Sequence, residues 1–167
     1  MNAQLATPST ATSMTAALPP LRFSIVVPLD PAAAFRLFTD GIAGWWPIAT
    51  HSVGKERAVT THIEPGVGGR CFETWDDGQE RDWGVVRTWE PGRELVIGWH
   101  PGSPPERAQE VAVRFTAEGS ATRVELEHRG WDALAEGAEK AYAGYAGGWQ
   151  VVFGERYRDA AEAAAKT

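Results

Sequence analysis

Three side chains in this sequence could carry protons: Glu73 in "CFETW", and His51 and His128, two of its four histidines. Imidazole is the side chain whose ordinary pKa, about 6.5, suits exchange near neutrality. His128 shares a strand phase with Leu126 and therefore faces inward. There it can anchor a polar ligand group, act as acid or base, or sit in the core hydrogen-bonded to a backbone carbonyl. His51 falls in a loop, where binding residues concentrate and where a merely solvated histidine is also at home. If Phe72 turns outward, Glu73 points into the cavity with Cys71 and Trp75. Desolvation there would raise its pKa unless a cation such as Arg81 paired with it, and it would be a base for an enolisable substrate. On the other phase it is an exposed strand glutamate.

Other chemistries find no support in the residue spacing. The histidines at 51, 62, 100 and 128 show no HExxH, and one cysteine makes no CxxC, so no metal site is expected. "GVGGRC" lacks the third glycine of a dinucleotide loop and precedes a strand rather than a helix. There is no GxxxxGK and no GxSxG, and no cofactor is expected. Cys71 reads as a small strand residue packed like alanine in preference to a nucleophile.

The unusual resource is indole. The chain holds eight tryptophans, each able to bury roughly 150–250 Å² and each with an N–H that wants a partner. Trp45 and Trp46 are adjacent, so one helix cannot bury both along one line. One is expected inside and the other at a cavity mouth. In "ELVIGWH" the alternation sends Leu95, Ile97 and Trp99 inward. In "DWGVVRTW" Trp83, Val85 and Trp89 share a face with Arg81 and Arg87, which describes either an edge or a cavity wall with polar anchors. Trp99, Tyr142, Tyr145 and Trp149 are the foremost cavity-lining candidates, with core filling as the competing role.

The elements that must position these residues read as follows. "LRFSIVVPLD" alternates as a strand with one buried face. Asp30 and Pro31 open a helix. Gly41 and Gly44 split the apolar run into two short helices, ended by Pro47. Residues 48–58 form a loop. Four strands follow up to His100, separated by "EPGVGG", "DDG" and "EPG". Val111, Val113 and Phe115 then pair with Val124, Leu126 and His128 in a hairpin. From about Asp132 to Ala165 the spacing is helical. Its many glycines each cost roughly 1 kcal/mol against alanine, so packing must hold that helix. About seven antiparallel strands cannot be covered flat by one helix, and a curved sheet gripping it is the natural solution. The class is therefore α+β, with space between the sheet and the helix.

At 167 residues, one domain is expected over residues 21–167, after a disordered lead-in over residues 1–20. The excess of 22 acidic over 16 basic residues disfavours nucleic acid as a partner. No apolar run approaches the roughly 20 residues of a membrane span. A lone cysteine fits a reducing cytoplasm.

"AFRLFTDGIAGWWP", "THSVG", "GVGGRCFETWDDG", "DWGVVRTWEPGRELVIGWH", "TRVELEHRGW" and a late "GGW" run in order from about residue 22 to 160. In order and spacing they resemble the helix-grip (SRPBCC) superfamily of START lipid-transfer domains, Bet v 1-like proteins and polyketide cyclases. Within it the chain resembles the branch named after the activator of heat-shock protein 90 ATPase. The resemblance implies a hydrophobic cavity in a fold that serves carriers, sensors, a few enzymes and co-chaperone modules. The leading expectation is a binder of a hydrophobic or aromatic small molecule. Its site would draw on Trp45, Trp46, Glu73, Trp83, Trp99, His128, Tyr142, Tyr145 and Trp149. The alternatives are a co-chaperone-like activator, and a cyclase- or hydrolase-like enzyme using Glu73, His51 or His128. A chaperone and a second copy of the chain complete the expected partners.

Overall fold

The computed structural model describes residues 18–167. Residues 18–20 have no regular secondary structure, and the rest of the expected lead-in lies outside the described residues. Strand β1, Leu21–Val27, keeps the alternation of its sequence, with Phe23, Ile25 and Val27 toward the core and Arg22 and Ser24 exposed. Helix α1, Pro31–Thr39, starts where Asp30 accepts the Ala33 N–H at 2.8 Å, and it buries Ala34, Phe35 and Phe38. Helix α2, Ile42–Trp45, buries Ile42 and Trp45. These are the two short helices expected.

Six strands follow: β2 Ala58–Ile63, β3 Arg70–Trp75, β4 Glu80–Glu90, β5 Glu94–Trp99, β6 Gln109–Glu118 and β7 Ala121–Arg129. The sheet is antiparallel throughout, in the order β1-β7-β6-β5-β4-β3-β2. The α1–α2 segment thus carries the chain from one sheet edge to the other. Tight turns at Gly78 (φ 86°) and Gly119 (φ 64°) use the left-handed conformation that glycine adopts without strain. In the β6–β7 hairpin Val111 faces His128, Val113 faces Leu126 and Phe115 faces Val124, all turned to the core.

Strand β4 departs from simple alternation. Its pairing with β3 slips so that Trp83 is an extra residue, and its pairing with β5 slips again at Arg87. Each bulge inserts one residue and reverses the inside–outside phase. Trp83, Val86 and Trp89 therefore turn to the core, while Val85 is 45% exposed. The face expected to join Val85 and two arginines to the tryptophans does not form. Arg87 pairs outward with Glu110 at 2.9 Å, and Arg81 lies over the Trp75 ring at 4.1 Å.

The C-terminal helix begins later than its periodicity suggests. Trp131–Leu134 is a 3-10 turn, and Ala135 (φ 51°) and Gly137 (φ 85°) are left-handed. Helix α3 then runs Ala138–Val151, passes through π-helical turns at Val152–Tyr157, and continues as α4, Arg158–Ala164. This composite helix is gripped by the curved sheet, giving the expected helix-grip architecture. Around its later half the core is solid. Phe38 packs on Trp45 and on Tyr157, each at 5.2 Å between ring centroids, and Phe35 packs on Phe115 at 5.3 Å. The Tyr157 hydroxyl donates to the Ala34 carbonyl at 2.7 Å, tying the helix to α1.

Candidate functional site

A buried carboxylate ties the loop after α2 to the sheet. Glu73 on β3 is fully buried. Its Oε1 accepts the Val53 N–H at 2.8 Å and the Trp83 indole N–H at 2.5 Å. Its Oε2 accepts the Gly54 N–H at 2.7 Å and the Trp75 indole N–H at 2.7 Å. A carboxylate is acceptor-only, and these four donors occupy it. Gly54 is required here, because a Cβ would lie 2.4 Å from the Trp75 indole nitrogen. Residues 52–54 are thereby laid across the sheet.

Between that loop and α3 lies a pocket of about 400 Å³, within the roughly 300–1,000 Å³ typical of small-molecule sites. Four tryptophans from four elements build its aromatic wall: Trp46 after α2, Trp83 on β4, Trp99 on β5 and Trp149 on α3. Trp46 sits at the centre, with ring centroids 4.9 Å from Trp83, 6.2 Å from Trp99 and 5.9 Å from Trp149. Helix α3 contributes Tyr145 and, at the intervening positions, only Ala141, Gly144 and Gly148. These small residues leave the space. A Cβ on Gly144 would meet nothing within 4 Å, and one on Gly148 would reach His51 Cδ2 at 3.7 Å across the opening. The rim is polar, with Thr50, His51, Ser52 and Lys55.

The indole N–H groups of the wall are committed to protein acceptors. Trp46 donates to the His51 carbonyl at 2.6 Å, Trp149 to His128 Nδ1 at 3.0 Å, and Trp99 to the Tyr145 hydroxyl at 3.1 Å. Trp83 serves Glu73 as above. The wall consequently shows ring surface.

His128 lies behind this wall. It is fully buried, stacked on Trp131 at 4.1 Å, with Nε2 3.1 Å from Gln109 Oε1. Burial lowers its pKa to about 3. The neutral ring, accepting at Nδ1 from Trp149 and donating at Nε2 to Gln109, orients the Trp149 indole. The core role holds for this residue, with side-chain partners in place of the expected carbonyl.

Of the residues singled out from sequence, Trp46, Trp83, Trp99, Tyr145 and Trp149 line the pocket, as does His51. Trp45 does not; it packs in the solid core and donates to the Leu37 carbonyl at 2.9 Å. Of the adjacent pair, Trp45 thus faces the interior and Trp46 the pocket. Tyr142 packs on Trp131 at 5.0 Å, outside the lining. Glu73 and His128 are one layer behind the lining, so the three proton carriers do not converge. His51 keeps Nδ1 2.8 Å from Thr50 Oγ1, and its pKa is lowered by burial first and then by Lys55 and Arg156. Cys71 is fully buried, and burial pushes its thiol pKa up, which suits a packing role. The glycines of α3 and the rim residues Ser52, Val53 and Lys55 were not singled out. Their signal was the glycine spacing at 144 and 148 on an otherwise aromatic helix face, beside "THSVG".

Comparison with known proteins agrees with this architecture. The family model described as Activator of Hsp90 ATPase homolog 1-like protein matches residues 28–158. Among solved structures, the anthrahydroquino-Gama-pyrone synthase Txn09 is 31% identical, with 87% of this chain and 99% of that one covered at a TM-score of 0.58. CalC, a self-sacrificing resistance protein from Micromonospora echinospora, is 29% identical, with 84% and 92% covered at a TM-score of 0.61. A protein of the same family from Aeromonas hydrophila shares the fold at 20% identity, with 86% and 93% covered and a TM-score of 0.56. No curated protein matches the chain significantly. With more than half its length matched by the family model, the chain belongs to the Activator of Hsp90 ATPase homolog 1-like family.

Proposed function

We propose that this protein binds a planar aromatic small molecule in the pocket between the 46–55 loop, the sheet and α3. The observation that carries this reading is the pairing of a four-indole wall with a helix face reduced to Ala141, Gly144 and Gly148. A core built for stability alone would fill that volume, since interiors pack to crystal density. The volume of about 400 Å³ lies toward the lower end of the roughly 300–1,000 Å³ of such sites, which suits a small ligand. The two relatives near 30% identity, a synthase named for an anthrahydroquino-pyrone and a resistance protein, lend support to a small-molecule role. The reading keeps the lone, buried Cys71 in a reducing cytoplasm. Among the described residues no helix is long and apolar enough to cross a membrane.

Binding is favoured over catalysis because Glu73 and His128 spend their polar atoms on the scaffold. A second reading, proton transfer in the same pocket, rests on His51 alone, which lines the pocket and whose pKa is lowered by burial and by Lys55 and Arg156. His51→Gln separates the two: it spares affinity under the first and removes turnover under the second. The direct test titrates the full chain with two- and three-ring aromatics, following tryptophan fluorescence and melting temperature. Saturable quenching with stabilisation of about 2.7 kcal/mol at a hundredfold excess over Kd is expected. No saturable response to any member of the panel overturns the proposal.

A further inference from the structure

Resting on the pocket reading above, we infer that Tyr145 is the pocket's polar anchor and that the ligand presents to it a carbonyl or comparable oxygen acceptor. Trp46 commits its N–H to the His51 carbonyl at the rim, and Trp83 and Trp149 send theirs behind the wall, to Glu73 Oε1 and His128 Nδ1. They offer a guest only their faces. Trp99 donates to the Tyr145 oxygen at 3.1 Å. That bond uses a lone pair of the hydroxyl and leaves its proton unspent. Among the described residues no group accepts the Tyr145 O–H, and Tyr145 is one of the residues that line the pocket.

Two further facts make this hydroxyl a donor. A hydrogen bond received at oxygen polarises the O–H and strengthens what it donates. Burial also raises the Tyr145 pKa, against the smaller opposing effect of Trp99, so the proton is present at neutral pH. Two rim groups already have partners within the loop. Lys55 Nζ donates to the Thr50 carbonyl at 3.0 Å, and Thr50 Oγ1 lies 2.8 Å from His51 Nδ1. An aromatic wall whose own unspent donor is the Tyr145 hydroxyl selects a ring system bearing an oxygen acceptor, such as an aromatic ketone or quinone, over the bare hydrocarbon.

The test compares 9-fluorenone with fluorene, which differ by a ketone against a methylene on the same flat frame. Dissociation constants are measured by equilibrium dialysis for the full wild-type chain and for Tyr145→Phe. A hydrogen bond of ordinary strength gives wild type about a tenfold preference for the ketone. Tyr145→Phe lowers that preference by weakening fluorenone more than fluorene, and the melting temperature of the unliganded variant reports an intact fold. Equal affinity of wild type for both probes, or equal weakening of both by the substitution, overturns the anchor while leaving the pocket reading standing. If neither probe binds wild type, the pocket reading falls and the anchor falls with it.

Discussion

The two halves of the sheet–helix interface use the same aromatic vocabulary to opposite ends. Around Tyr157 the rings of Phe35, Phe38, Trp45, Phe115 and Phe153 interlock, and every large position on the helix is filled. Around Trp149 the rings of Trp46, Trp83 and Trp99 also touch, yet the neighbouring helix positions shrink to Ala141, Gly144 and Gly148. The change occurs at the π-helical turns Val152–Tyr157, and such irregularities recur at functional sites. Val152 still lines the pocket, while Phe153 and Tyr157 belong to the solid core. Ring count therefore does not distinguish core from cavity. What distinguishes them is the size of the residues interleaved between the rings.

That contrast can be broken or sharpened by substitution. The solid half should be intolerant: Phe38→Ala leaves a cavity among packed rings and should cost about 3–5 kcal/mol in urea unfolding. A loss below about 1 kcal/mol would mean that this half is no tighter than the other. Next comes the brace between sheet and loop. Glu73→Gln puts an amide NH₂ where two donors point and should cost about 2–3 kcal/mol, with weaker binding of aromatic probes as residues 52–54 loosen. A variant with unchanged stability would show that the four-donor cage holds nothing down.

His128 gives a pH-dependent test of the layer behind the pocket. Its pKa is about 3 in the fold against an ordinary 6.5, the cause being burial. Below pH 6.5 the unfolded chain takes up a proton that the native state refuses. The stabilising effect is complete above that pH and is lost as pH falls toward about 3, with a slope of about 1.4 kcal/mol per pH unit. His51, lowered in the same direction, adds to the trend. His128→Gln should flatten stability against pH between 6 and 5 by about one proton's worth. Parallel slopes for wild type and variant would contradict a neutral, buried imidazole.

How much of this the sequence could tell depended on where alternation survived. In β6 and β7 no bulge intervenes, so Val113, Phe115, Leu126 and His128 face inward as their spacing says. In β4 two bulges reverse the phase, and no residue pattern announces them. Val85 and Arg87 were therefore misplaced, while Trp83 and Trp89 still reach the core. Helical spacing found the grip helix, though the left-handed Ala135 and Gly137 delay its start. The spacing brought the aromatic residues onto facing elements but left open whether they fill a core or line a pocket, as Trp45 and Trp46 show by doing one each. The role of Glu73 was not legible, because two of its four donors come from Val53 and Gly54, some twenty residues away in sequence. Its chemistry depended on loop geometry that residue types do not encode.

If α3 makes the pocket by withholding side chains from it, filling one of those positions should close it. Gly148→Leu tests this most directly, since a Cβ there already points at His51 across the opening. Leucine is also the better helix former, by somewhat under about 1 kcal/mol. The account predicts that the variant folds with stability within about 1 kcal/mol of wild type and loses affinity for 9-fluorenone by tenfold or more. A stably folded Gly148→Leu protein that binds fluorenone as tightly as wild type would contradict it.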